Sequence, residues 1–173
     1  AEHRFTLHAA DLKLEALTAL IPDRQVTGVG TLSGMLPVRI AGWPNIRFGS
    51  GHLHSLPNQR GWLRIQDLGP LESTIAAVAE ASVPDFLPAH VRAEGREQLR
   101  ESMLTALREF EYDELKLDFI DRGEETLARL TTSGRGRHPD RWGLRYPIGG
   151  IELNFIGLDK ELLNHILRFR PTD

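Results

Sequence analysis

Cysteine is absent from the 173 residues, which removes disulfide scaffolds, thiolate metal sites and thiol nucleophiles together and leaves the redox compartment open. Lysine is scarce, at Lys13, Lys116 and Lys160 only, so eighteen arginines supply nearly all the positive charge, and they are scattered rather than clustered. Positive charge does not prevail. The formal net charge is −3, without the global field that non-specific nucleic-acid binding uses, and a nucleic-acid partner is not expected. No apolar run approaches the ~20 residues that span a bilayer. An initiator methionine and a charged-then-apolar leader are also missing, because the chain opens at Ala1 inside a strand pattern. It reads as one domain, residues 1–173, excised from a longer protein.

What is present is 40% hydrophobic residues, enough for a core, arranged in two periods. Helical spacing places Leu99, Met103, Leu107 and Phe110 on one stripe over Arg96 to Phe110. A second stripe is Leu158, Leu162, Ile166 and Phe169, with Asp159 as its cap and Pro171 beyond its end. A third, over Asp11 to Ile21, aligns Leu14, Leu17 and Ile21, and a weaker fourth follows Pro70 through Leu71, Ile75 and Val78. Strand alternation is clearest at Asp113 to Asp121, where Leu115, Leu117 and Phe119 oppose Glu114, Lys116 and Asp118. Ile151, Leu153 and Phe155 repeat it, and Val38 and Ile40 flank Arg39. Shorter strands fit Phe5 to Ala9, Val26 to Leu32, Ile46 to Phe48, His52 to Leu56, Gly61 to Ile65 and Glu125 to Ser133. Gly49-Ser50-Gly51 and Asp121-Arg122-Gly123-Glu124 read as hairpin turns, and Ser82 to Glu94 and Gly134 to Gly150 as loops.

Motifs for chemistry fare poorly. Gly28-Val29-Gly30-Thr31-Leu32-Ser33-Gly34 invites a phosphate-loop reading, yet Leu36-Pro37-Val38-Arg39-Ile40 continues as a strand where a helix would have to begin, so a glycine-bearing strand is expected. His52 and His54 share a strand face, but a third ligand would have to come from His3, His8 or His138 across an unknown fold, and no metal site is expected. There is no G-x-S-x-G elbow and no marked carboxylate pair, so no catalytic residue or cofactor is assigned. Arg39, Arg47 and Arg64 have the forked donors that hold carboxylates or phosphates, which keeps small-carboxylate binding or transport as an alternative.

The order of several motifs carries a resemblance. Gly28-x-Gly30-x-Leu32-x-Gly34-x-Leu36-Pro37-Val38, then Ile46, Gly51-x-Leu53 and Pro57, then Phe110-x-Tyr112-x-x-Leu115, then Gly136, Pro139 and Gly150-Ile151-Glu152-Leu153-Asn154, resemble the carboxy-terminal region of YdbH-like proteins. These belong to the AsmA-like group that includes TamB and have also carried a dicarboxylate-transport label. The chain departs from that pattern at Asn58-Gln59-Arg60 before Gly61, and at His138, where asparagine is usual. The resemblance implies a non-enzymatic periplasmic protein, anchored in the inner membrane, that helps move phospholipid toward the outer membrane along a β-rich groove. It also implies a small outer-membrane lipoprotein docked by strand addition, which makes an interaction module the runner-up. The expected fold is α+β, a curved and mostly antiparallel sheet with amphipathic helices covering one face or capping an end. Its lipid-facing candidates are Leu32, Val38, Ile40, Leu53, Leu115, Leu117, Phe119, Leu153 and Phe155. The same alternation also builds an ordinary core, because helices with matching stripes are present to fill the space.

Overall fold

Alternating side chains dominate this chain, and the computed structural model, which describes residues 2–21, 25–42, 45–158 and 160, turns them into an α+β fold. The elements run β1 (His3–Lys13), α1 (Leu14–Thr18), β2 (Val26–Val29), β3 (Thr31–Ile40), β4 (Ile46–Phe48), β5 (Gly51–Ser55), β6 (Gly61–Ile65), α2 (Gly69–Ser82), α3 (Ala89–Arg108), β7 (Glu109–Asp121), β8 (Thr126–Gly136) and β9 (Pro147–Ile156). All strand pairings among the described residues are antiparallel, in one nine-stranded sheet.

The nine strands fall into six tiers. β2 and β3 follow one another along one tier, broken at Gly30; β4, β5 and β6 follow one another along the next, pairing with β3 and β2 on one side. β7 spans that tier from the other side, meeting β5 at Gly51↔Phe119 and β6 at Gly61↔Tyr112. The remaining tiers are β1 on one margin and β8 then β9 on the other. The sheet is therefore a meander, with α1 inserted after β1 and the α2–α3 pair inserted between β6 and β7.

Gly49-Ser50-Gly51 is not a hairpin turn. Register runs from Val38↔Phe48 to Met35↔His52, so β4 continues into β5 with one extra residue, and the Gly49 N–H is held by the Pro37 carbonyl at 2.7 Å. The segment is a bulge, which bends a strand without reversing it. Equivalent shifts lie between Ala9 and Leu12, between Tyr112 and Glu114, and where Gly134 pairs with Ile148 but Thr132 pairs with Ile151. Asp121 to Glu125 is a true turn: Gly123 has φ +86°, and the Arg122 N–H reaches the Glu125 carbonyl at 2.9 Å.

The helices also differ in extent from their stripes. α1 is five residues long, because Asp11 and Leu12 belong to β1, where Leu12 pairs with Leu32; Leu14, Leu17 and Ile21 are nonetheless all buried. α2 covers its expected span, with proline in the first turn, where the missing N–H costs nothing, and Asp67 accepting the Gly69 N–H at 2.9 Å. α3 begins at Ala89, inside the expected loop, and passes into β7 before Phe110, which is a strand residue. The stripe from Leu162 to Phe169, its cap Asp159 and Pro171 lie outside the described residues. No helix among the described residues is long and apolar enough to cross a membrane.

Candidate functional site

Seen across the tiers, one face of the sheet is predominantly apolar, with Ser55 and Thr132 as its buried polar members. Gly34, Leu53, Leu117, Leu130 and Leu153 stand in register across β3, β5, β7, β8 and β9, and Gly51, Phe119, Ala128 and Phe155 form the next row. Val38 opposes Phe48, Ile40 opposes Ile46, and Leu32 opposes Ser55. The nine candidate residues therefore share one face. Leu32, Val38, Leu53, Leu115, Leu117 and Phe119 are buried, while Ile40, Leu153 and Phe155 are partly exposed toward the margins. Phe48 and Phe119 meet edge to face at 5.4 Å, the offset geometry that aromatic quadrupoles favour.

The helices lie on this inner face. Leu14 and Leu17 of α1, Ile75 of α2 and Met103 and Leu107 of α3 join the same core cluster. α3 comes so close to β8 that a Cβ on Gly136 would lie 2.9 Å from the Ala106 Cα. Between the α2–α3 pair and β9 an apolar cleft of about 450 Å³ stays open, walled by Leu71, Val78, Met103, Ile148 and Ile151. A second hollow of about 430 Å³ lies between Leu20 and Ile21, after α1, and Phe155 with Leu158.

The glycine motif now has a role in packing. Tyr112 is fully buried, and its hydroxyl ends between Gly61, its register partner, and Gly30 in the following tier, where a side chain at either glycine would collide with it. Gly30 also has φ +155°, which L side chains rarely adopt, and its carbonyl accepts the Leu14 N–H at 2.9 Å as α1 begins. The Tyr112 hydroxyl has no hydrogen-bond partner among the described residues, and burial, followed by the nearby Glu15 charge, pushes it above the ordinary tyrosine range.

The outer face is polar. His52 and His54 stack there at 5.8 Å, and no group of three His, Asp or Glu that could hold a metal occurs among the described residues. Arg39 pairs with Asp121 at 3.3 Å and Arg47 holds the Gly123 carbonyl, so both fasten the β7–β8 turn. Arg64 behaves differently. It binds Glu109 through Nε at 3.0 Å and also through Nη2, where α3 passes into β7, and His138 takes the other carboxylate oxygen, with Arg137 3.9 Å away. Hydrogen bonds from Arg64 and then His138 hold Glu109 below the usual carboxylate range. Trp62 packs against both guanidinium groups, at 5.7 Å for Arg64 and 4.9 Å for Arg137.

Several inner-face residues escaped sequence reading. Ala128, Thr132 and Gly134 on β8 are too small or too polar to mark an apolar face, and Phe110 and Tyr112 lie out of phase with Leu115. Comparisons with family models, curated proteins and solved structures find no match to this chain.

Proposed function

We propose that this chain is the helix-capped carboxy-terminal part of a periplasmic, inner-membrane-anchored AsmA-like or YdbH-like protein that moves phospholipid toward the outer membrane without catalysing a reaction. The observation that carries this reading is the single, predominantly apolar face that runs across the tiers of an antiparallel sheet, backed by a polar outer face. Each lipid methylene moved onto such a face gains about 0.8 kcal/mol, so a continuous strip holds an acyl chain without any specific polar contact. Where α1, α2 and α3 already fill the face, they end the path. The acyl route in this region then follows Leu153, Phe155 and the open cleft beside β9.

The test is photocrosslinking in cells, with a benzophenone side chain at Phe155 or Leu153 of the intact protein. Phospholipid should be captured there and not at Lys116 or His54 on the outer face. Capture confined to the outer positions overturns the proposal.

A second reading, docking of a small outer-membrane lipoprotein by strand addition, is favoured by the two margins: β1 and β9 each pair on one side only among the described residues. Crosslinks from Asn154 to a small protein, with none to lipid at Phe155, would favour it over transport.

A further inference from the structure

Where the end of α3 meets the starts of β7 and the segment after β8, the polar rim has more cations than its carboxylate can satisfy. The cleft there measures about 520 Å³ and is lined by Arg64, Gln66, Thr105, Arg108, Glu109 and His138, with Ile65 as an apolar wall. Glu109 already serves Arg64, Arg137 and His138. Arg108 is exposed on the last turn of α3 and forms no ion pair among the described residues. Packing of Trp62 against Arg64 and Arg137 limits the rotamer freedom of both side chains before any ligand arrives.

From this arrangement we infer that the rim binds one phosphate group, with Arg108 and the open donors of Arg64 and Arg137 on its oxygens and the Thr105 hydroxyl and Gln66 amide beside them. Guanidinium forks match phosphate oxygens in pairs, which a lone ammonium does not. A single phosphate fits better than a polyanion, because the chain as a whole carries a net charge of −3 and offers no extended positive field beyond the local cluster. Trp62 and Ile65 flank the cations, as the glycerol and first methylenes of a lipid headgroup would need. The inference depends on the transport reading only for the carrier of the phosphate. Loss of phosphate binding with lipid capture retained at Phe155 would sink this inference alone.

Titration of the nitrogen-15-labelled chain with sn-glycerol 3-phosphate, at constant ionic strength, tests it. The Trp62 indole and the Arg64 and Arg137 Nε–H signals should shift saturably, with a dissociation constant of about 1 mM or tighter. Arg108→Gln, at an exposed position without a partner to lose, should weaken binding about tenfold, the usual worth of one charge-assisted hydrogen bond. Glu109→Gln removes the competing carboxylate and should tighten it, whereas a merely structural cluster would loosen. A linear, unsaturated response, or equal affinity in Arg108→Gln, overturns the site. Dihexanoyl phosphatidylglycerol below its micellar concentration separates the sources: tighter binding than glycerol phosphate identifies a lipid headgroup, and equal binding identifies a free phosphate ester.

Discussion

The two faces of β7 are built from the same strand and do opposite work. Inward, Phe110, Tyr112, Leu115, Leu117 and Phe119 are buried in one cluster with residues from both neighbouring tiers and α3. Outward, Glu109, Glu111, Glu114, Lys116 and Asp118 meet water and one another, with pairs such as Lys116–Glu114 at 3.0 Å and Arg145–Glu111 at 2.8 Å. The difference shows where the fold energy lies. A buried large side chain stabilises by about 1.5–3 kcal/mol, whereas an exposed ion pair contributes about 0–1 kcal/mol. The inner face therefore holds the sheet together, and the outer face is free to change its chemistry.

The largest effect should come from breaking that contrast at its apolar side. Phe119→Ala removes a ring that packs against Phe48 and pairs across to Ala128, and should cost about 3–5 kcal/mol in urea unfolding. Lys116→Ala, three residues earlier and facing outward, should change stability by no more than about 0.5 kcal/mol. Similar costs for the two would mean that the faces are not partitioned as described.

How much of this was legible depended on phase. Leu115, Leu117 and Phe119 announce their strand because they alternate cleanly, as do Ile151, Leu153 and Phe155. Upstream of each run a bulge inserts one residue and flips the parity, so Phe110 and Tyr112 occupy even positions of a face whose later members are odd. Leu7 and Ala9 against Leu12, and Ile46 and Phe48 against Leu53, show the same flip. Period-two alternation stops at such a residue, so it spans only part of β1 and β7, and Phe110 fits the spacing of a helical stripe as well as a strand. The Asp11 bulge has φ +54°, a left-handed conformation that aspartate tolerates better than most residues. The bulges that hid strand length also bend the strands, and so help curve the sheet. The charged rim is illegible for another reason: Trp62, Arg64, Glu109, Arg137 and His138 come from three separate segments, and of these only Arg64 and His138 stand out in the sequence, in unrelated roles.

A sharper probe concerns the glycine seat. Gly30→Ala places a methyl group against the Tyr112 hydroxyl and at 3.1 Å from the ring carbon that carries it, and should cost about 1–3 kcal/mol. Adding Tyr112→Phe should recover part of this, giving a coupling of about 0.5 kcal/mol or more in a double-mutant cycle, while the φ of +155° keeps the recovery incomplete. Strict additivity would show that ring and glycine do not meet.

Tyr112 carries the polar atom on the inner side of β7, and it yields the smallest expected effect. Its hydroxyl is buried without a partner among the described residues, so Tyr112→Phe should leave neutral-pH stability unchanged or raise it by about 1 kcal/mol. The contrast should grow with pH. Below the ordinary tyrosine value of 10.0 both folded and unfolded chains keep the proton, and this group gives no pH dependence. Above it the unfolded chain releases the proton while the buried phenol retains it, so stability falls as pH rises toward the higher folded value. Lys116, whose ammonium is favoured by the hydrogen bond and charge of Glu114, adds a loss of the same sign to wild type and variant alike, and cancels between them. The wild type should therefore lose stability faster than Tyr112→Phe when urea midpoints are followed upward from pH 10. Parallel curves would place the hydroxyl in water, and the apolar face would then be open at the one point where the structure packs it against two glycines.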